Sequence, residues 1–298
     1  MATPVSFRVD GLTLAGVVHV PPDLRAGERR PAIIVLPGFG GGKDNVVSRV
    51  PAEQLAKRGY VTLRFDHRGC GASEGEHARV ICLERVADTQ AALGYLAERP
   101  EVDGARLALL GSSFGAAVAI YTAGVDSRVA AVVSLGGWGD GERKFRQQHA
   151  TPEAWTRCTG MLEEGRRYRE RTGRSLMVRR FDIVPMPEHL RGNLGGQAIM
   201  EFPAETAQSM YDFRADDVVG AIAPRPLLLV HAASDSVTPT AESIELFKRA
   251  QPPVELHLLA DVDHFLFGEA DSYEERLIAD WLARYLPVER RRVREGVA

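Results

Sequence analysis

The stretch "RLALLGSSFGAAVAI", Arg106 to Ile120, limits what this chain can fold into more than any other. An apolar run with strand character meets a knot of small residues and then an apolar run with helix character. A strand that passes directly into a helix must turn sharply. Gly111-Ser112-Ser113-Phe114-Gly115 fits the spacing Gly-x-Ser-x-Gly in one register only. Side chains at the two outer positions would collide in such a turn, and the central residue is held in strained backbone geometry. The spacing therefore predicts that the Ser113 hydroxyl stands out from the carboxyl edge of a sheet, above a helix N-terminus. The alternative is a plain strand-to-helix connection.

A serine hydroxyl is a poor nucleophile until a base takes its proton, so a histidine and an acid are expected later in the chain. His264, in "ADVDHFLFG", lies after the last apolar strand and before the closing helix. His231 ends an earlier strand, His257 lies within one, and the other five come too early or in the middle of the chain. Asp235, in "LLLVHAASDSVTP", follows the strand before the histidine strand and is placed to orient the imidazole; Asp140, Asp261 and Asp263 are less well placed rivals. Ser113, Asp235 and His264 thus stand in the order serine, acid, histidine. An oxyanion formed by attack needs two preorganised donors. The backbone N–H groups of Phe114, next to the serine, and of Phe39, in the glycine loop "VLPGFGGGKDN", are the candidates. That loop lacks the Gly-Lys-Ser/Thr ending of a phosphate-binding loop, since Asp44 follows Lys43.

Around these motifs, short β-branched runs alternate with amphipathic stretches. "VSFRVDGLTLAGVVHV", split by Asp10-Gly11, reads as a hairpin. "AIIVLP", "YVTLRF", "RLALLG", "VAAVVSLGG", "PLLLVHA" and "VELHLLA" read as buried strands, with helices near 46–58, 80–98, 240–250 and 272–286. This pattern predicts an α/β fold, a mostly parallel central sheet flanked by helices. Residues 138–213 break the rhythm, and a structureless loop of that length is improbable. They are expected to form a mostly helical cap inserted after the sixth strand, with 1–137 and 214–298 as the core. Within reach of the site, Trp138, Met186, Phe202, Met210 and Phe265 are candidate substrate contacts. The run Gly165 to Arg180 holds seven arginines and one glutamate. It reads as a solvated helix face, or as guidance for an anionic substrate. The basic tail from Val288 is expected to fray.

With 45% hydrophobic residues, 26% charged residues and a formal charge of −3 in 298 residues, the chain has the composition of a globular protein. Nothing points to nucleic acid, and no apolar run is long enough to span a membrane. Three cysteines without metal-ligand spacing, and a start lacking a secretory pattern, lead to the expectation of a cytoplasmic protein with no disulfide framework. The motifs call for no metal or other cofactor. The oligomeric state is left open, a homodimer included.

Together, "LPGFGGGKDN", "GYVTLRFDHRGCGASEG", "GSSFG", "IAPRPLLLVHAASDSVTP" and "DVDHF" resemble the α/β-hydrolase superfamily. Within it they are similar to bacterial esterases related to dienelactone hydrolases and X-prolyl peptidases. The resemblance spans nearly the whole chain outside 138–213, and departs from many relatives where Pro37-Gly38 replaces His-Gly. It implies a serine hydrolase with Ser113, Asp235 and His264 as triad and Phe39 and Phe114 as oxyanion donors. It further implies a small-molecule ester or thioester substrate, cleaved through an acyl-enzyme. The same triad would also serve transfer to an alcohol or amine, or carbon–carbon hydrolysis; a non-catalytic binding relative is the reading outside enzymes. Asp66 and Arg68 are expected to brace loops.

Overall fold

The structure, a computed structural model, describes residues 2–195, 198–266 and 272–289. Strands β1 (Ala2–Val9) and β2 (Leu12–His19) form the antiparallel hairpin expected from Asp10-Gly11. Both turn residues take positive φ, 48° and 83°, as a tight two-residue hairpin turn requires. The chain continues through β3 (Arg30–Leu36), α1 (Val46–Lys57), β4 (Val61–Phe65), α2 (Cys82–Ala97), β5 (Val102–Ser112), α3 (Phe114–Val125) and β6 (Val129–Leu135). The eight-stranded sheet has the order β1-β2-β4-β3-β5-β6, followed by two late strands. From β4 onward its strands are parallel.

Alternate residues of the central strands feed two separate cores, as a period of two dictates. On one face Ile34, Leu36 and Leu109 pack with Leu93 of α2 and Val118 of α3. On the other, Ile33, Val35 and Leu110 pack with Leu55 of α1 and with residues of the closing helix. Because β4 and β5 leave β3 on opposite sides, the chain direction across the sheet reverses at β3. Loops after β3 and β5 therefore flank a crevice at the carboxyl edge, where open α/β sheets bind ligands.

Between β6 and the next strand of the sheet lie α4 (Gly141–Gln148), α5 (Pro152–Thr172), β7 (Met177–Arg179), α6 (Arg180–Ile183), α7 (Glu188–Arg191), β8 (Glu201–Pro203) and α8 (Ala204–Asp212). Helix α5 has clear start and stop signals. Thr151 Oγ1 accepts from Ala154 N–H, Pro152 opens the helix, and Gly173 ends it in the left-handed conformation. The antiparallel pair β7–β8 has no counterpart in the sequence reading, since three residues per strand are too few to show a period. Arg143 of α4 ties this segment to the core through Glu242 and Asp216.

The sheet is completed by β9 (Leu227–Ala232), α9 (Ala241–Arg249) and β10 (Val254–Leu259), followed by α10 (Tyr273–Tyr285), whose Ile278, Trp281 and Leu282 close the second core. Cys70, Cys82 and Cys158 are free and buried. Among the described residues no helix is long and apolar enough to cross a membrane. The basic tail beyond residue 289 lies outside the described residues.

Candidate active site

Ser113 joins β5 to α3 with φ 55° and ψ −115°, a conformation rare for a residue with a side chain. The glycines around it show why the turn can close. A Cβ on Gly111 would stand 2.2 Å from Gly115 O, and one on Gly115 only 2.4 Å from Pro37 O. The strained residue is held from both sides. Its N–H donates to Leu135 O of β6 at 2.7 Å, and its carbonyl accepts from Ala116 N–H at 3.0 Å.

The hydroxyl so presented meets the side chains expected of it. Ser113 Oγ is 2.9 Å from His264 Nε2, and His264 Nδ1 is 2.8 Å from Asp235 Oδ2 and 3.1 Å from Oδ1. A carboxylate only accepts, so the ring hydrogen sits on Nδ1 and the Nε2 lone pair receives the serine proton. Asp235 also accepts from Val237 N–H at 2.8 Å and Thr238 N–H at 2.7 Å. Burial alone would raise its pKa. Hydrogen bonds from His231 and His264 outweigh burial and hold the carboxyl well below the usual carboxylate range.

The rival acids are engaged elsewhere. Asp263 accepts from Ser236 and from His264 N–H, bracing the two loops against each other. Asp140 caps α4 through Arg143 N–H, and Asp261 is exposed. Asp66 accepts from Lys43 N–H and Ala72 N–H, and Arg68 bonds Asp88 and Asp10, so both residues lock neighbouring loops.

Phe114 N–H opens α3, where the first amides have no partner inside the helix. Gly38 brings the loop after β3 alongside it: a Cβ there would be 3.7 Å from Ser113 Cβ. Phe39 is the next residue, and its ring lies 5.9 Å from that of Phe114. Both phenylalanines are buried.

A cavity of about 50 Å³ opens in front of Ser113 and His264, walled by Phe39, Val184, Met186, Val237 and Phe265 among others. Of the expected substrate contacts, Met186 and Phe265 line it. Trp138, Phe202 and Met210 do not, and each is a correction with the same cause: all are at most 1% exposed and serve packing. Trp138 lies between Phe114 and Phe213, Phe202 stacks on Phe39 at 4.3 Å, and Met210 sits in α8 against α4.

Two residues with clear roles in the site were not singled out by sequence. His231 was set aside as a strand end, yet it is fully buried, with Nε2 3.2 Å from Asp235 Oδ2 and 3.0 Å from Thr238 O. Since that carbonyl can only accept, Nε2 carries the hydrogen, and Nδ1 accepts from Ser243 Oγ at 2.6 Å. The spacing His231-x-x-x-Asp235 across a strand end is the signal that could have paired them. Arg180 belongs to the arginine run that reads as a solvated helix face or as guidance for an anionic substrate; it is 5% exposed and lines the cavity. Nothing local distinguishes it from Arg179.

The parallel sheet, the strained serine turn and the late-loop histidine define the chain as an α/β hydrolase. More narrowly, it belongs to the family described as "Serine aminopeptidase, S33", which matches over residues 27–271. The polyketide transferase grgF of a Penicillium species is 29% identical over 93% of this chain and 94% of its own length. The crystal structure of that α/β hydrolase superposes with a TM-score of 0.78, covering 96% of this chain and 99% of the other. The hypothetical protein PA2218 of Pseudomonas aeruginosa, 23% identical over 96% of this chain and 94% of its own, gives a TM-score of 0.81 and supports the fold. The superfamily expectation holds; the narrower likeness to dienelactone hydrolases and X-prolyl peptidases is not shown by these matches.

Proposed function

We propose that the protein cleaves a carboxylic ester or thioester through an acyl-enzyme on Ser113. His264 Nε2 removes the hydroxyl proton as Oγ attacks the substrate carbonyl. The resulting oxyanion is held by the N–H groups of Phe39 and Phe114. Collapse expels the alcohol or thiol, protonated by His264; water activated by the same imidazole then releases the acid and restores Ser113. Asp235 fixes the tautomer and stabilises the imidazolium without itself taking the proton.

The observation that carries this reading is the unbroken hydrogen-bond chain from Ser113 Oγ through His264 to Asp235, at a cavity mouth. A fluorophosphonate probe followed by peptide mapping tests it. Labelling confined to the peptide containing Ser113, and lost in Ser113→Ala, is the expected result. A folded, unlabelled wild type would remove the nucleophile and leave a binding relative. The likeness to a protein named polyketide transferase favours a second acceptor for the acyl group. If an alcohol or amine competes with water, adding it will divert product from free acid to ester or amide at unchanged total turnover.

A further inference from the structure

We propose that Arg180 binds a carboxylate on the substrate, so that the site acts on esters or thioesters bearing an acidic group near the reacting carbonyl. The inference rests on the acyl-transfer role of Ser113 and adds the substrate's charge. Four observations carry it.

Arg180 is buried and lines the same small cavity as Ser113 and His264. Its partners are neutral. Nη2 donates to Phe39 O at 2.5 Å and Nη1 to Ile199 O at 3.0 Å, while the group lies 5.0 Å from the centre of the Phe39 ring and 5.8 Å from that of Phe202. Those contacts fix the fork in place and leave its full positive charge. In the described residues no carboxylate lies within ion-pair distance of it, and the nearby Cys70 thiol is itself held neutral by burial. Finally, no Asp, Glu or Lys lines the cavity among the described residues, and its other walls are mostly apolar.

An unpaired buried cation is costly, and the cost is recovered when an anion arrives. Each Nη keeps a second N–H beyond the bond described, which suits the planar fork of a carboxylate. The apolar walls exclude water and would strengthen that pair. The site is thus built to hold an anion within reach of the nucleophile. The exposed arginines of α5 lie outside the cavity: Arg166 and Arg167 pair with Glu163, and Arg171 lies over Tyr168 at the surface.

The experiment compares matched p-nitrophenyl esters: the glutarate half-ester against the pentanoate, and the succinate half-ester against the butyrate. Wild type is expected to favour each anionic member about ten- to a hundredfold in kcat/KM, the range of one charge-assisted hydrogen bond. Arg180→Gln should abolish that ratio and Arg180→Lys retain part of it. Equal loss on both members with an unchanged ratio would make Arg180 a brace of the Phe39 loop and overturn the proposal. So would a wild type that prefers the neutral esters, or turns over neither while still being labelled at Ser113. Absence of labelling would instead sink the acyl-transfer reading. Should Arg180→Gln fail to fold, wild type alone decides the question. Glutarate should slow fluorophosphonate labelling where glutaramide does not, and equal effects of the two overturn the proposal.

Discussion

At the carboxyl edge of the sheet, charge is enclosed by its complement. Asp235 sits between the imidazoles of His231 and His264 and accepts two backbone amides besides. In the segment between β6 and β9, two buried cations have no carboxylate within ion-pair distance among the described residues. Arg180 faces carbonyls and aromatic rings, and Lys144 of α4 donates to Gln148 Oε1 and lies 5.3 Å from the Trp138 ring centre and 4.7 Å from that of Phe145. Internal compensation makes a site rigid before substrate arrives. Uncompensated charge either awaits a ligand, as inferred for Arg180, or simply lowers stability. The two regions should therefore respond to charge removal with opposite sign.

The largest effect is expected at the enclosed carboxylate. Asp235→Asn keeps the shape but can present an amide N–H to Nδ1, favouring the wrong imidazole tautomer; kcat should fall by about 10⁴. The same variant tests the stability side. Asp235 titrates lower in the folded chain than unfolded, so its contribution is complete above the unfolded value near pH 4. It is lost as pH falls through the folded value. Urea midpoints should show wild type ahead of the variant at pH 7 and the gap narrowing at pH 3. A constant gap would mean the carboxylate is not held by its partners.

His231→Leu removes the second imidazole while nearly preserving volume. It takes one of two imidazole donors from Asp235 Oδ2, where His264 remains, and leaves the Thr238 carbonyl and the Ser243 hydroxyl without that ring. A loss of about 2–4 kcal/mol is expected, together with a ten- to hundredfold fall in kcat at little-changed KM. Lower stability with unchanged kcat would mean His231 only fills the core and that Asp235 is enclosed without its help.

These residues also mark how far the sequence could be read. Ser113, His264 and Asp235 were legible because a sharp turn admits only glycine at its flanks and because strand order puts the other two loops at the same edge. The alternating strands were legible for the related reason that burial on both faces leaves continuous β-branched runs. His231 and Arg180 were not. Each owes its role to a partner brought by folding: His231 to a loop closing back over its strand, Arg180 to a loop over a hundred positions earlier. Packing likewise decided that Trp138, Phe202 and Met210 turn into the core while Met186 and Phe265 face the cavity, since an apolar side chain in a segment without a period has no face to read.

Lys144 gives the smallest expected effect and the opposite sign. Burial pushes its ammonium down to about 8 against the opposing pull of the Glu242 carboxylate, while the thiols Cys82 and Cys158, raised to about 12 and about 11, supply no anion there. A lysine whose folded pKa lies below its unfolded value of about 10.4 carries the full penalty below pH 8, and the penalty fades as pH rises through that window. Lys144→Met keeps the apolar stem against Trp138 and drops the charge. It should gain on the order of 1–3 kcal/mol at pH 7, less what Gln148 loses as an acceptor. Wild type should become more stable between pH 7 and 9.5 while the variant does not, so the two urea midpoints converge. A variant no more stable than wild type at pH 7 would show that the rings and Gln148 already compensate the charge. The contrast would then be confined to Arg180, which lines the cavity.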